Sequence, residues 1–226
     1  MNSLTSINKI TPFLKSKNRD IQSSELKILT NIYQEDNNIV VWRRKLSGVL
    51  AEAAASILDS NPALQMRKVV TPQDSLSSIK KGLGNTEVAT ILAEDIMELV
   101  EIFCCLFDLK STGLRLEGLG EAMCPRFHVD QVPCRLLTTY TGVATEWLPH
   151  STADRSKLGG GNKGKSDERS GLFSNESDIN QLREGDVALL KGEQWEGNKG
   201  MGIIHRSPKL SGKNRRLLLS LDFIYG

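Results

Sequence analysis

The sequence predicts an α+β fold: a helical first half backing an antiparallel β-sandwich or jelly roll. Two observations carry this. Up to about residue 110, apolar residues recur at helical spacing. After Lys110 the apolar runs shorten to strand length and are punctuated by Gly and Pro. No internal repeat points to a solenoid. At 226 residues, 39% hydrophobic and 25% charged, the chain suits one domain with a core large enough for a closed cavity.

Residues 1–23 are polar and weakly patterned and read as a loose lead-in. Leu26, Leu29 and Ile32 recur at every third position and predict a short amphipathic helix over 24–34. Ile39 to Trp42 is a β-type run. Leu46, Val49, Leu50, Ala53, Ala54 and Ile57 mark one face of a helix over 43–59, stopped by Asn61-Pro62. A stronger helix spans 86–107, with Thr86 as N-cap and a core stripe from Val88 to Phe103. Strands are expected at 114–117, 126–130, 135–141, 186–190, 201–205 and 217–225. The chain thus divides into the lead-in, a helical part over 24–110 and a β core over 111–226. Within the core, the Gly-, Ser- and Lys-rich segment 150–181 is a flexible loop, serving either as a lid or as a solvated insertion.

Several function classes are excluded. With 29 Lys+Arg against 27 Asp+Glu, the net charge of +2 gives no bulk attraction for nucleic acid. No apolar run reaches the ~18 residues of a membrane span, and the N-terminus lacks the apolar core of a secretory signal. Cys104, Cys105, Cys124 and Cys134 contain no CxxC pair, so a disulfide framework is not expected and a reducing, cytoplasmic setting is. Gly159 to Ser166 matches the G-x-x-x-x-G-K-[ST] phosphate-binding pattern. That motif works only between a buried strand and an amphipathic helix, and neither flanks it here. No G-x-S-x-G supports a serine hydrolase.

The chemistry concentrates at Cys124-Pro125-Arg126-Phe127-His128-Val129-Asp130. His128 and Asp130, two apart on a strand, point to one face and offer two ligands to a divalent metal. Of the other histidines, His150 adjoins the Gly-rich loop and His205 ends a β-type run. A strand holds a ligand more rigidly, so His205 is the third candidate. Two His and one carboxylate form a facial triad with open positions, the arrangement of non-haem Fe(II) oxygenases. An Arg ahead of the last strand is placed to grip a carboxylate through two parallel hydrogen bonds. Arg215, ten residues past His205, is favoured by spacing; Arg216, sharing a face with Ser220 and Asp222, is favoured by polarity. Tyr140 is a further candidate for the cavity wall, with packing as its alternative. Cys124 has the same strand parity as His128; a thiolate there would favour zinc over iron.

His128-x-Asp130, His205 and then Arg215 or Arg216 resemble the HxD…H…R signature of the Fe(II)/2-oxoglutarate-dependent dioxygenases. Gly185-Asp186, opening the strand run before His205, resembles the Gly-Asp strand of that family. The resemblance covers about 112–225. It implies a double-stranded β-helix, a jelly-roll or cupin-like fold. It also implies iron on His128, Asp130 and His205, with 2-oxoglutarate held by Arg215 or Arg216. The segments CPRFHVDQVPCRLL and GIIHRSP also resemble a bacterial family of unknown function. That second resemblance implies zinc-responsive gene neighbourhoods near GTPase metallochaperones, and so a zinc-binding role in metal homeostasis as the alternative. The substrate, a small molecule or a protein, has no recognisable code in the sequence.

Overall fold

A computed structural model describes residues 20–212 and 214–224, so most of the lead-in, together with Lys213, Tyr225 and Gly226, lies outside the described residues. The described chain begins with strand β1 (Asp20–Ser23), a 3-10 helix (Leu26–Tyr33), β2 (Ile39–Trp42), helix α1 (Gly48–Ser60), β3 (Gln65–Val70), α2 (Ser75–Leu83) and α3 (Glu87–Phe107). It continues through β4 (Thr112–Leu119), β5 (Cys134–Thr141), β6 (Glu146–Leu148), the short α4 (Asp167–Ser170), β7 (Asn180–Gln181), β8 (Val187–Lys191), β9 (Ile204–Arg206) and β10 (Arg216–Asp222).

The local chemistry explains these elements. The spacing of three between Leu26, Leu29 and Ile32 is the 3-10 period, and the segment predicted as an amphipathic helix takes that form. Ser47 caps α1 by accepting from Leu50 N–H, so α1 starts at Gly48 rather than at Arg43. Thr86 caps α3 through Ala89 N–H, as predicted. Strands β1, β3, β6 and β7 and helices α2 and α4 escape the sequence reading, and β1 pairs with β2 although Asp20–Ser23 falls in the segment read as a loose lead-in. Strand β3 is an edge strand whose middle is Arg67-Lys68, and α2 is Ser-rich with Ile79 as its one fully buried apolar side chain.

Seven strands form a large sheet in the order β1-β2-β8-β5-β10-β4-β3, antiparallel except for the parallel β1–β2 pair. Strands from the first half therefore extend this sheet at both edges; the division at 110 does not separate two bodies. A small sheet runs β7-β6-β9, and a bridge between His128 and His205 adds a fourth member. From β4 onward the chain alternates: large sheet at β4, small at His128, large at β5, small at β6 and β7, large at β8, small at β9, large at β10. This is the winding of a double-stranded β-helix.

The helices cover the outer face of the large sheet. Leu92, Ile96, Leu99 and Phe103 of α3 pack with Leu136, Leu189, Leu217, Leu219 and Leu221. Each such side chain contributes roughly 1.5–3 kcal/mol by burial. The inner face packs on the small sheet through Val41, Leu137, Leu190, Trp147 and Ile203. No helix among the described residues is long and apolar enough to cross a membrane.

Candidate metal centre

The expected strand over 126–130 is reduced to the single bridge at His128, whose N–H and C=O pair with the C=O and N–H of His205 at 3.0 Å each. That bridge brings the two imidazoles side by side, ring centroids 4.6 Å apart. Asp130 completes the group: its Oδ1 lies 3.6 Å from His128 Nε2 and its Oδ2 3.3 Å from His205 Nε2. One ligand atom from each of His128, Asp130 and His205 falls within 4.8 Å of the others.

The tautomers suit metal binding. His128 Nδ1 lies 2.9 Å from the Arg126 carbonyl and His205 Nδ1 3.2 Å from the Ile203 carbonyl. A carbonyl only accepts, so each Nδ1 carries the proton and each Nε2 presents its lone pair. Burial works to lower the His128 pKa, but Asp130 and the Arg126 carbonyl together outweigh it and raise the value. For Asp130, burial works upward. The two neighbouring imidazoles and the Arg135 guanidinium together prevail and hold the carboxyl far below the usual range, leaving it ionised.

His128 and His205 open into a cavity lined also by Arg115, Glu117, Cys124, Arg135, Thr145, Arg206, Arg216 and Ser220. Residue parity on β10 decides the arginine. Leu217, Leu219 and Leu221 turn toward the helices, so Arg216, Leu218 and Ser220 face the cavity. Arg215 is exposed and does not line it, whereas Arg216 is 1% exposed. Gly142 permits this placement: with φ at +90°, it passes so close to β10 that a Cβ would lie 2.2 Å from the Arg215 carbonyl oxygen.

Arg216 has no carboxylate partner among the described residues. Its nearest acceptors are the Val143 carbonyl at 3.3 Å and Thr145 Oγ1 at 3.5 Å, and its Nε has none. Burial lowers its pKa to about 10. A buried guanidinium left so poorly paired is costly, and a carboxylate ligand would relieve it. The donor set therefore fits a divalent metal, and the orphaned guanidinium in the same cavity fits a carboxylate beside it.

The other candidates fall elsewhere. Tyr140 is not a cavity residue: it lies on the helix side of β5, and its hydroxyl donates to Asp95 Oδ2 at 2.6 Å. Asp95 also takes a bidentate pair from Arg44 at 2.7 and 2.9 Å, so Tyr140 helps dock α3 on the sheet. Tyr140→Phe is expected to cost about 1 kcal/mol of stability in chemical denaturation and to leave metal titration unchanged. Weakened ligand binding at unchanged stability would contradict this placement. Cys124 lines the cavity, but its sulfur stands outside the converging ligand group. His150 sits in the 3-10 turn after β6, away from that group.

The segment 150–181 is fastened to the site rather than hanging free. Leu172 and Phe173 pack with Phe127, Leu148 and Ile204. The buried Asp167 carboxylate accepts from Phe127 N–H at 2.8 Å and pairs with Arg126 at 3.1 Å and Arg206 at 3.3 Å. These partners adjoin His128 and His205 in sequence, so the segment braces both ligands. The P-loop-like stretch is a 3-10 turn followed by left-handed Lys163 and Gly164. The amides of Gly161, Lys163, Gly164 and Lys165 are spent on acceptors within the turn, which rules out a phosphate cradle built from them.

From the sequence, Arg135 stays open between a substrate contact and a structural ion pair, and neither Arg206 nor Thr145 is assigned. Their signals lie in strand pairings and in contacts across the fold, which local spacing does not carry.

Fold and site together define a double-stranded β-helix with a His-x-Asp…His centre. The chain belongs to the family described as protein of unknown function DUF1826, whose model matches residues 23–222. No curated protein matches the sequence significantly. Among solved structures, the chain is similar to the 2-oxoglutarate complex of dioxygenase for auxin oxidation 1 from Arabidopsis thaliana. The identity is 11% and the TM-score 0.49, over 92% of this chain and 93% of that one. A prolyl-4-hydroxylase from Pseudomonas putida is 11% identical with TM-score 0.46, over 88% and 98% of the two chains. Iron-bound HygX from Streptomyces hygroscopicus is 12% identical with TM-score 0.43, over 81% and 80%.

Proposed function

We propose that the protein is an Fe(II)- and 2-oxoglutarate-dependent oxygenase of the hydroxylase type, acting on a small-molecule or protein substrate. The observation that carries this reading is Arg216: a buried guanidinium with no carboxylate partner among the described residues, in the cavity that His128 and His205 line. His128, Asp130 and His205 would hold the metal, leaving positions open for a bidentate cosubstrate and O₂. When bound, iron and 2-oxoglutarate supply the oxidising chemistry, coupling O₂ activation to decarboxylation of the cosubstrate. Arg216 would take the distal carboxylate as a bidentate pair, with the Thr145 and Ser220 hydroxyls lining the same cavity. The braced segment 150–181 would help keep the ligands fixed while substrate enters. Four free cysteines accord with a reducing, cytoplasmic setting.

A zinc-binding role in metal homeostasis draws on Cys124 in the same cavity. That reading leaves Arg216 without a purpose. Calorimetric titration of 2-oxoglutarate into protein loaded with Mn(II), an oxygen-stable stand-in for Fe(II), separates the two. The oxygenase reading expects binding that requires the metal. Absent 2-oxoglutarate binding, with tight zinc binding lost in Cys124→Ser, would replace it with the zinc reading.

A further inference from the structure

We infer that Arg135 is a positioning residue that confines Asp130 to a single metal-binding oxygen. This rests on the metal reading above and adds to it how the third ligand is held. Asp130 lies outside the strands, beside the single bridge at His128; its carbonyl accepts from Glu193 N–H at 2.9 Å, and its side chain is left to its neighbours to orient.

Arg135 orients that side chain from the large sheet. On β5 it stands directly across from Asp222 of β10. Its Nε and Nη2 donate to the two Asp222 oxygens at 2.7 and 3.0 Å, and its Nη1 donates to Asp130 Oδ2 at 2.7 Å. The guanidinium is largely buried, and Asp222 is further fixed by Arg115 at 3.3 Å. Two nitrogens clamp the fork to a rigid strand and the third reaches the ligand. A lysine, with one nitrogen, cannot serve both carboxylates with that geometry.

Oδ2 thereby takes the short Arg135 hydrogen bond, and Oδ1 is the oxygen that would be left for the metal. Chelation by both oxygens would fill one of the positions that a facial triad leaves open. Arg135 thus preserves room for a bidentate cosubstrate. Its positive charge opposes a nearby cation, but Asp222 neutralises it at close range, so orientation outweighs repulsion. Groups that orient metal ligands in this way typically change metal affinity 10–100-fold when removed.

The test is titration with Co(II) of the wild type, Arg135→Met, Arg135→Lys and Asp222→Asn, following affinity and the visible d–d band. Thermal melts of the apo forms check folding. Arg135→Met is expected to bind about 10–100-fold more weakly, with a band altered in position or intensity. Arg135→Lys is expected to recover only part of either property. Asp222→Asn, which loosens the anchor without touching Asp130, is expected to fall between wild type and Arg135→Met. Wild-type affinity and an unaltered band in Arg135→Met overturn the inference. If that variant does not fold, the same result in Asp222→Asn overturns it. A wild type that binds no Co(II) overturns the metal centre itself.

Discussion

Arg216→Met is expected to make the protein more stable and its binding of 2-oxoglutarate much weaker. The guanidinium is 1% exposed, has no ion-pair partner among the described residues, and its pKa falls to about 10 through burial. The sign follows from linkage. The charged form is penalised in the folded state, so the cost is fully present below pH 10 and relieved only as pH climbs toward the ordinary arginine range. At neutral pH the penalty is on the order of 3 kcal/mol, and an apolar side chain of similar length removes much of it. The apo melting temperature is expected to rise by several degrees. Loss of a buried, hydrogen-bonded charge pair with the cosubstrate weakens its binding by about 100-fold or more. Differential scanning calorimetry and 2-oxoglutarate titration check both halves. Arg215→Met is the control and should change neither, since Arg215 is exposed and lies outside the cavity.

Asp130→Asn and His205→Ala are expected to abolish stoichiometric binding of divalent metal. Asp130 brings the only carboxylate of the converging group, and His205, 5% exposed, is its most buried member. Asparagine keeps the shape and an acceptor for Arg135 but removes the charge that draws the cation. Affinity is expected to fall more than about 100-fold, beyond the effect of removing an orienting group alone. Measurement of bound metal after equilibrium dialysis checks this. Full metal occupancy in Asp130→Asn would contradict the assigned ligand set.

The site was legible in the sequence where chemistry follows from side-chain type. His128, Asp130 and His205 stand out because two histidines and a carboxylate form a recognisable donor set, and they converge although the strand expected at 126–130 is a single bridge. The choice between Arg215 and Arg216 was not legible. Strand parity separates two faces without saying which is the cavity, and only the packing of Leu217, Leu219 and Leu221 on the helices fixes it. The choice between cavity wall and packing for Tyr140 was not legible either: its partner Asp95 lies on α3, remote in sequence. Strand β3 was missed because its central charges resemble a loop, although Met66 and Val70 are buried. The expected flexible loop carries few apolar residues, and its attachment runs through Asp167, Arg126 and Arg206. Ion pairs of this kind leave no periodic signal.

The central claim is that one cavity holds both a metal on His128, Asp130 and His205 and a carboxylate on Arg216. The most direct measurement is anaerobic addition of Fe(II) and then 2-oxoglutarate to the apo-protein, following the visible metal-to-ligand charge-transfer absorption. The account expects a band that appears only with both additions, is absent in His128→Ala and requires far more 2-oxoglutarate in Arg216→Met. No band from a folded wild-type protein with bound Fe(II) at saturating 2-oxoglutarate, or a band indifferent to Arg216, would contradict it.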